Sequence, residues 1–163
     1  MKTVARFEKV SLEQWKKGYD SVEWKQEADY KTIVLPKRAT RGSAGYDFFA
    51  PFDFVIKPHS SIKIPTGIKS FIENGFVLEV YPRSSLGFKH RVMLCNTVGI
   101  IDSDYYNNSS NEGHIFIKLY NQSDKAVEIS EGESFAQGIF KEFCLAEEDE
   151  VTENRVGGIG STN

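Results

Sequence analysis

The sequence predicts an all-β domain, built as a β-sandwich, a jelly roll or a related barrel. Aromatic residues are abundant, with 12 Phe and 7 Tyr in 163 residues. They lie in short segments separated by Gly, Pro, Asn and Ser, which is typical of strands joined by turns. Residues 114–120 also alternate, since Ile115, Ile117 and Leu119 would share one face of an extended chain. Helical patterns are rare, and many short strands with little helix favour this class of fold.

Strands are predicted in short segments along most of the chain, at residues 31–35, 52–56, 67–72, 76–81, 92–94, 114–120, 126–129 and 134–140. The dipeptide Asn74-Gly75 separates two of these segments. It is typical of a type I′ turn, which needs positive φ at both central residues, and it therefore predicts a hairpin over residues 67–81.

A short helix is predicted near the N-terminus. Ser11 is placed to cap residues 12–17, and Glu13 and Lys17 have the i, i+4 spacing of an ion pair. Gly18 is expected to end or weaken this helix. Residues 22–28 form a second helical candidate, and the segment from 11 to 30 fits a lid, a packing arm or a partly ordered extension.

Composition excludes several classes of function. The length of 163 residues suits one domain, and 20 basic against 23 acidic residues lack the positive excess that nucleic-acid binding requires. No apolar run approaches the length of a membrane span, and the charged N-terminal residues do not form a signal peptide. Cys95 and Cys144 form no paired motif, which favours the cytoplasm. We therefore expect a cytoplasmic protein with no nucleic-acid or membrane partner.

Polar residues suited to phosphate chemistry gather in clusters at residues 44–47, 82–87, 96–105 and 132–137 and in the tail from residue 155. Arg83 beside Ser84 and Ser85 offers a guanidinium and two hydroxyls as donors to an oxyanion. A turn with a surface ion pair is the alternative interpretation of this cluster.

Two carboxylates follow the apolar segment 99–101. Asp102 and Asp104 would lie on one side if the chain were extended. One such carboxylate can hold and deprotonate a water, and two can hold a divalent ion through water, whereas an Asx-type turn is the structural alternative. The tail glycines can expose backbone N–H groups to an anion, with Arg155, Ser161 and Thr162 adding donors, or can form a flexible end.

Together, and in this order, the clusters resemble the five motifs of the trimeric deoxyuridine triphosphatases (dUTPases). The matching segments are Ala44-Gly-Tyr-Asp-Phe-Phe-Ala50, Pro82-Arg-Ser-Ser-Leu-Gly87, Asn96-Thr-Val-Gly-Ile-Ile-Asp-Ser-Asp-Tyr105, Gly132-Glu-Ser-Phe-Ala-Gln137 and Arg155-Val-Gly-Gly-Ile-Gly-Ser-Thr162. The likeness begins near Lys31. It implies an N-terminal extension at residues 1–30 that contains the helical candidates, a β domain at 31–146, and a linker with a glycine-rich lid at 147–163, all within one domain.

The resemblance implies a β-clip, jelly-roll-like subunit with a flexible C-terminal arm, assembled as a homotrimer with active sites at subunit interfaces. It also implies hydrolysis of dUTP to dUMP and pyrophosphate with Mg²⁺ bound across the triphosphate, a reaction that limits uracil in DNA and supplies dUMP. Asp102 would be the base that activates water, and Asp47 would support the metal indirectly, through water.

The same resemblance implies the substrate contacts. Asn96 and the backbone at Gly99 would read uracil, and Tyr105 would pack on the deoxyribose and exclude a 2′-hydroxyl. The phosphate-binding residues would be Arg83, Ser84, Ser85, Gln137, Arg155, Ser161 and Thr162. Ile159 and Gly160 belong to the lid, and Ile159 stands where the family usually has an aromatic residue over the base.

Two alternatives remain at this level. The dCTP deaminases share the fold, but Lys118 stands where their proton-shuttling glutamate should be. The other alternative is a non-catalytic trimeric module that binds a nucleotide or a protein, with residues 1–30 as its partner surface. The loop after Tyr105 is also longer than the short turn expected from the family.

Overall fold

The computed structural model describes residues 2–20, 30–153, 155 and 157. The strands in these ranges are β1 Ala5–Lys9, β2 Lys37–Arg38, β3 Tyr46–Phe49, β4 Phe54–Ile56, β5 Ser61–Pro65, β6 Ile68–Ile72, β7 Phe76–Pro82, β8 Val92–Leu94, β9 Gly99–Ile101, β10 Phe116–Asn121, β11 Val127–Ile129 and β12 Ser134–Glu142. The helices are α1 Leu12–Asp20 and α2 Ser84–His90, with 3-10 turns at Tyr30–Thr32 and Ser103–Tyr105. No helix among the described residues is both long and apolar enough to cross a membrane.

The strands form antiparallel sheets, which confirms the predicted all-β class. A five-stranded sheet has the order β2-β3-β12-β7-β9, and a three-stranded sheet has the order β5-β10-β8. Two further pairs join β1 to β6 and β11 to β4. In the larger sheet, Gln137 lies opposite both Asp47 and Tyr81. This register sets the positions of the polar residues described below.

The core is rich in aromatic and branched side chains from several sheets. Phe54 and Phe135 pack edge to face with ring centroids 5.6 Å apart. The alternation along β10 and the segment before it is confirmed, because Ile115, Ile117 and Leu119 are all fully buried. Large buried side chains supply most of the free energy of folding through the removal of apolar surface from water.

The predicted N-terminal helix is confirmed and is longer than expected. Ser11 Oγ accepts the N–H of Gln14 at 3.1 Å, and Lys17 pairs with Glu13 at 2.7 Å. Gly18 was expected to end or weaken the helix, and it does not end it, because α1 continues to Asp20. A Cβ at Gly18 would lie 2.5 Å from His114 Cε1, so glycine allows α1 to approach a buried imidazole closely.

The predicted strand at residues 31–35 is wrong. Tyr30–Thr32 forms a 3-10 turn, and Lys9 Nζ donates to the carbonyls of Tyr30 and Lys31 at 3.3 and 3.2 Å. The Tyr30 hydroxyl in turn donates to the carbonyl of Val10 at 2.6 Å. Side chains thus satisfy backbone acceptors that a strand would pair in a ladder.

The predicted hairpin at residues 67–81 is also wrong. The strands β6 and β7 belong to different sheets, since β6 pairs with β1 whereas β7 pairs with β12 and β9. Phe76 donates its N–H to the carbonyl of Glu73, and Gly75, but not Asn74, has positive φ. A single positive φ at the third position is typical of a type II turn, which does not align the flanking strands as a type I′ turn does.

Candidate active site

The first group of motif residues surrounds Arg83, and we call Asp47, Arg83, Ser84, Ser85 and Gln137 the arginine cluster. Arg83 Nη1 donates to Asp47 Oδ1. The Asp47 side chain is only 12% exposed and that of Arg83 32%. Gln137 Nε2 donates to the carbonyl of Pro82 at 3.2 Å. The ion pair fixes the guanidinium beside the end of β7, where Gln137 also lies.

The local sequence explains why Arg83 lies at the junction of β7 and α2. Arg83 is extended, and its carbonyl accepts the N–H groups of Leu86 at 3.0 Å and Gly87 at 3.1 Å. α2 therefore begins directly after it, with Ser84 and Ser85 exposed in the first helical turn. Leu86 is buried and anchors the turn to the core. The sequence left two interpretations of this cluster, a set of donors for an oxyanion and a turn with a surface ion pair. The structure contains the side chains of the first and the ion pair of the second.

An open cleft of about 560 Å³ adjoins the arginine cluster. Its volume lies in the range of small-molecule sites. Apart from Arg83, Ser84 and Gln137, it is lined by Tyr81, Pro82, Gly87, Phe88 and Ile139. Phe88 is 91% exposed, so one wall of the cleft is an uncovered aromatic ring.

The second group lies at the end of β9, and we call Asp102, Asp104, Tyr105 and Arg155 the aspartate cluster. Arg155 Nη2 donates to Asp102 Oδ2 at 2.6 Å, and its Nε donates to Asp104 Oδ1 at 2.9 Å. Its guanidinium lies 5.7 Å from the centre of the Tyr105 ring. The hydrogen bond to Asp104 raises the pKa of Arg155, with burial opposing it and the charges of both aspartates adding to it.

The sequence suggested that Asp102 and Asp104 would lie on one side of an extended strand. The chain is not extended at both residues. Asp102 is extended, but Asp104 lies in the 3-10 turn that follows. Both carboxylates nevertheless face Arg155. The Asp102 side chain is 48% exposed, so water has access to it.

Tyr105 is held at its hydroxyl from two sides. The hydroxyl donates to the carbonyl of His114 at 2.8 Å and accepts from Asn111 Nδ2 at 2.8 Å. Burial raises the pKa of Tyr105, against the effects of Asn111 and Arg155, so the phenol is neutral near pH 7. Sequence analysis missed Asn111 and His114. The unusual length of the loop after Tyr105 showed that this segment departs from the family pattern. It did not identify Asn111 and His114 as partners of the Tyr105 hydroxyl.

Asn96 lies in the turn that joins β8 to β9, and Gly99 is the first residue of β9. Asn96 is exposed, and its carbonyl accepts the N–H of Val98 at 2.7 Å across Thr97, which has φ 65°. A β-branched residue at positive φ is rare and costs free energy. Gly99 is buried, and a Cβ there would lie 3.1 Å from Val80 Cβ, so glycine permits close strand packing.

The two clusters lie far apart across the five-stranded sheet. Asp47 is opposite Gln137, which is opposite Tyr81 on β7. On β9, Asp102 lies one residue beyond the partner of Leu78. Three strand spacings across the sheet and about four residues along it separate Asp47 from Asp102 by roughly 20 Å. A single chain therefore does not bring the aspartate cluster to the arginine cluster.

Four predicted site residues, Ile159, Gly160, Ser161 and Thr162, lie outside the described residues. Within the described part of the chain, no group of three or more His, Cys, Asp or Glu side chains is arranged to hold a metal ion. Asp47 supplies one carboxylate, already paired with Arg83. This donor set fits Mg²⁺ that keeps its waters and takes its other ligands from a triphosphate, and not a metal held in a protein cage.

Comparison with known proteins decides the family. The sequence model of the dUTPase family matches residues 31–163. The chain belongs to the dUTPase family. A deoxyuridine 5'-triphosphate nucleotidohydrolase of Lactococcus lactis subsp. lactis (strain IL1403) is 46% identical over 132 residues, which cover 80% of this chain and 88% of that protein. The enzyme of the same name from Helicobacter pylori (strain J99 / ATCC 700824) is 38% identical, covering 82% of this chain and 91% of its own.

Solved structures agree with the family assignment. The dUTPase of Streptococcus mutans superposes with a TM-score of 0.69 at 35% identity, covering 86% of this chain and 98% of that chain. A mutant dUTPase from phage phi11 of S. aureus superposes with a TM-score of 0.65 at 18% identity, covering 93% and 98%. At this lower identity the likeness concerns the fold. The predicted dUTPase family and its β-clip, jelly-roll-like fold are thus confirmed.

Proposed function

We propose that this chain hydrolyses dUTP to dUMP and pyrophosphate, with Asp102 as the base that activates the attacking water. One observation carries the proposal. The half-exposed Asp102 carboxylate lies at the end of β9, beside the buried Tyr105, within residues 31–163 that match the dUTPase family. The relatives named above are deoxyuridine 5'-triphosphate nucleotidohydrolases, which supports the same substrate and reaction.

The active enzyme is a homotrimer with its sites between subunits. The distance between the clusters supports this assembly, because Arg83 contacts Asp47, roughly 20 Å from Asp102 of the same chain. A water activated by Asp102 attacks a phosphate held by Arg83 only if the two side chains come from different copies. The open cleft beside Phe88 leaves space for a neighbouring chain and a ligand.

In the reaction, Asp102 accepts a proton from a water placed in line with the α-phosphorus. The new P–O bond forms as the bond to the bridging oxygen breaks, and pyrophosphate leaves. Arg83, Ser84, Ser85 and Gln137 donate to the phosphates and offset the negative charge that repels the incoming water. Asp47 would support the water shell of a bound Mg²⁺, which would add to this charge neutralisation.

Substrate selection follows from the turn between β8 and β9 and from the neighbouring tyrosine. Asn96 and the backbone at Gly99 read the edge of uracil. The Tyr105 ring packs on the deoxyribose, and its two hydrogen bonds keep it from moving aside for a 2′-hydroxyl. A buried polar edge left unpaired by cytosine would cost far more than a lost apolar contact.

The C-terminal tail closes over the substrate. Arg155, Ser161 and Thr162 contact the β- and γ-phosphates, and Gly160 and Ile159 cover the nucleoside. Closure excludes water other than the nucleophile and strengthens the electrostatic contacts inside the site. We place the protein in the cytoplasm, where the free and exposed thiols of Cys95 and Cys144 would stay reduced.

The test is pyrophosphate release with Mg²⁺ from dUTP, dCTP, dTTP and UTP in parallel, with analysis of the base in the dCTP reaction. We expect release from dUTP alone. Uracil products from dCTP would instead indicate a deaminase, and the absence of turnover with retained nucleotide binding would indicate a binding module. Asp102→Asn should keep nucleotide binding and lower kcat by about 10²-fold or more, the contribution of a general base. Unchanged turnover would refute Asp102 as the base.

A further inference from the structure

The N-terminal arm, residues 2–20, lies outside the residues that match the family model but is built into the fold. β1 pairs with β6 and places Arg6 opposite Phe71 and Glu8 opposite Lys69. α1 follows and buries Trp15 in the core. The arm is therefore held by a sheet register and by apolar packing, and its polar side chains have fixed positions.

The N-terminal arm contacts Tyr106, the first residue of the loop 106–113. The Tyr106 hydroxyl donates to Glu8 at 2.9 Å, and the Arg6 guanidinium lies 5.7 Å from the centre of the Tyr106 ring. Phe71 packs edge to face on the same ring at 5.7 Å. Contacts from β1 and β6 thus enclose the start of the loop.

The arm also contacts the far end of the loop. Glu112 accepts the Ser11 N–H at 2.9 Å and the Ser11 hydroxyl at 2.5 Å, and it lies 3.7 Å from Lys69. Ser11 in turn caps α1 through Gln14, so Glu112 joins the loop to the first turn of that helix. Glu112 itself has φ 58°, a left-handed conformation that is unfavourable for a residue with a Cβ and persists only where contacts hold it.

Beyond the loop, α1 rests on His114. The imidazole is fully buried, its Nε2 accepts the N–H of Gly67 at 2.9 Å, and Gln14 lies 3.4 Å from its Nδ1. The Trp15 ring is 6.3 Å away, and Gly18 leaves room for the imidazole. The helix therefore fixes the backbone at His114.

These contacts flank the two groups that hold Tyr105. Asn111, which donates to the Tyr105 hydroxyl, directly precedes Glu112. The accepting carbonyl belongs to His114, two residues after Glu112. His114 also donates its backbone N–H to the carbonyl of Asn111 at 2.9 Å, which closes the segment into a tight turn. A displacement of Glu112 would move both partners of the Tyr105 hydroxyl.

We propose that Glu112 is a positioning residue through which the N-terminal arm fixes Tyr105 as the filter against ribonucleotides. Ser11 holds Glu112, Glu112 holds the turn from Asn111 to His114, and that turn holds the Tyr105 ring in place. This role rests on the proposed function, in which Tyr105 packs on the deoxyribose. It assigns to the arm the discrimination between dUTP and UTP.

The experiment compares Glu112→Ala with Glu13→Ala in the full chain. Glu13 is the matched control, because it is an exposed glutamate of α1 that pairs with Lys17 and feels the charge of Glu112 without holding it as Ser11 does. We expect Glu112→Ala to lower the ratio of kcat/KM for dUTP to that for UTP by about tenfold, since it removes charge-assisted hydrogen bonds that hold the filter. Glu112→Gln keeps an acceptor oxygen and should restore part of the ratio, and Ser11→Ala should reproduce part of the loss.

Amide hydrogen exchange of residues 105–114 gives a readout that does not depend on turnover. Glu112→Ala should accelerate exchange there, and Glu13→Ala should not. If Glu112→Ala exchanges faster but keeps the ratio of kcat/KM for dUTP to that for UTP, Glu112 has a structural role alone and the proposal is overturned. An equal loss of this ratio in Glu13→Ala would overturn it as well. If the unmodified protein does not hydrolyse dUTP, the proposed function fails, and unchanged exchange in Glu112→Ala would separately refute the link between arm and loop.

Discussion

The proposed homotrimer with sites between subunits predicts that two variants, each inactive alone, restore activity when they assemble together. Arg83→Gln removes the guanidinium of the arginine cluster but leaves an amide beside Asp47, and Asp102→Asn removes the base. Arg83 follows the end of β7, and Asp102 follows the opposite end of the adjacent strand β9. Asp47, the partner of Arg83, lies roughly 20 Å from Asp102. Each variant alone damages every site of its own trimer. A mixed trimer, however, contains sites that take intact Arg83 from one copy and intact Asp102 from another.

The expected recovery follows from the statistics of assembly. In an equal mixture, half of the chains carry intact Arg83 and half carry intact Asp102, so about one quarter of the sites in randomly assembled trimers contain both. Pyrophosphate release from dUTP should therefore return to about one quarter of the unmodified rate, whereas each variant alone should lose about 10²-fold or more.

The assay is turnover after joint unfolding and refolding of the two variants, against the same variants refolded apart and then combined. A mixture of Asp102→Asn with Asp102→Ala is the matched control, because no combination of those chains contains the base. Activity no higher than the mean of the two parents, in material shown by light scattering to be mixed trimers, would refute the shared site. A stable monomer that hydrolyses dUTP would refute it as well.

Further predictions concern stability and the tail. Burial lowers the pKa of His114 to about 4. Since the unfolded chain binds this proton near pH 6.5, the free energy of unfolding should fall by about 3 kcal/mol as the pH drops from about 6.5 to 4. An unchanged Tm in thermal unfolding across this window would contradict the prediction. Gly18→Ala should destabilise the fold by about 1–3 kcal/mol through a clash with His114. Gly42→Ala, where a Cβ meets nothing within 4 Å, is the neutral control in urea denaturation. Deletion of residues 155–163 should lower kcat by about 10²-fold while light scattering and circular dichroism stay unchanged; full turnover would show that the tail takes no part.

Local patterns predicted those parts of the fold that neighbouring residues determine. The alternation of Ile115, Ile117 and Leu119 reports burial on one face, which is a local property of a strand. The Ser11 cap was readable because an N-cap needs only the next three residues. The hairpin predicted from Asn74-Gly75 was wrong because the type of this turn depends on which sheets the flanking strands join. No local pattern contains that information.

The same limit explains what was found and missed in the site. Asp102, Arg83 and Tyr105 could be named as candidate site residues because their motifs are continuous in sequence. The link from Ser11 to Glu112 spans 101 residues, and nothing in either segment identifies the other as its partner. The distance from Asp47 to Asp102 likewise follows from strand register alone. Motif order therefore indicated candidate site residues, and the family resemblance implied sites between subunits. The separation of these residues within one chain came only from the strand register.

The position of Arg155 bears on the order of events at the site. Its guanidinium donates to both Asp102 and Asp104, so the carboxylate proposed as the base has one oxygen engaged by a cation. While that contact lasts, the guanidinium occupies the oxygen and leaves less of the carboxylate open to an attacking water. A triphosphate carries more charge than the two carboxylates, and in the proposed closed site it would compete for the guanidinium. In the proposed mechanism, transfer of Arg155 to the phosphates would free Asp102 only when substrate is bound, and this would couple closure of the tail to activation of the base.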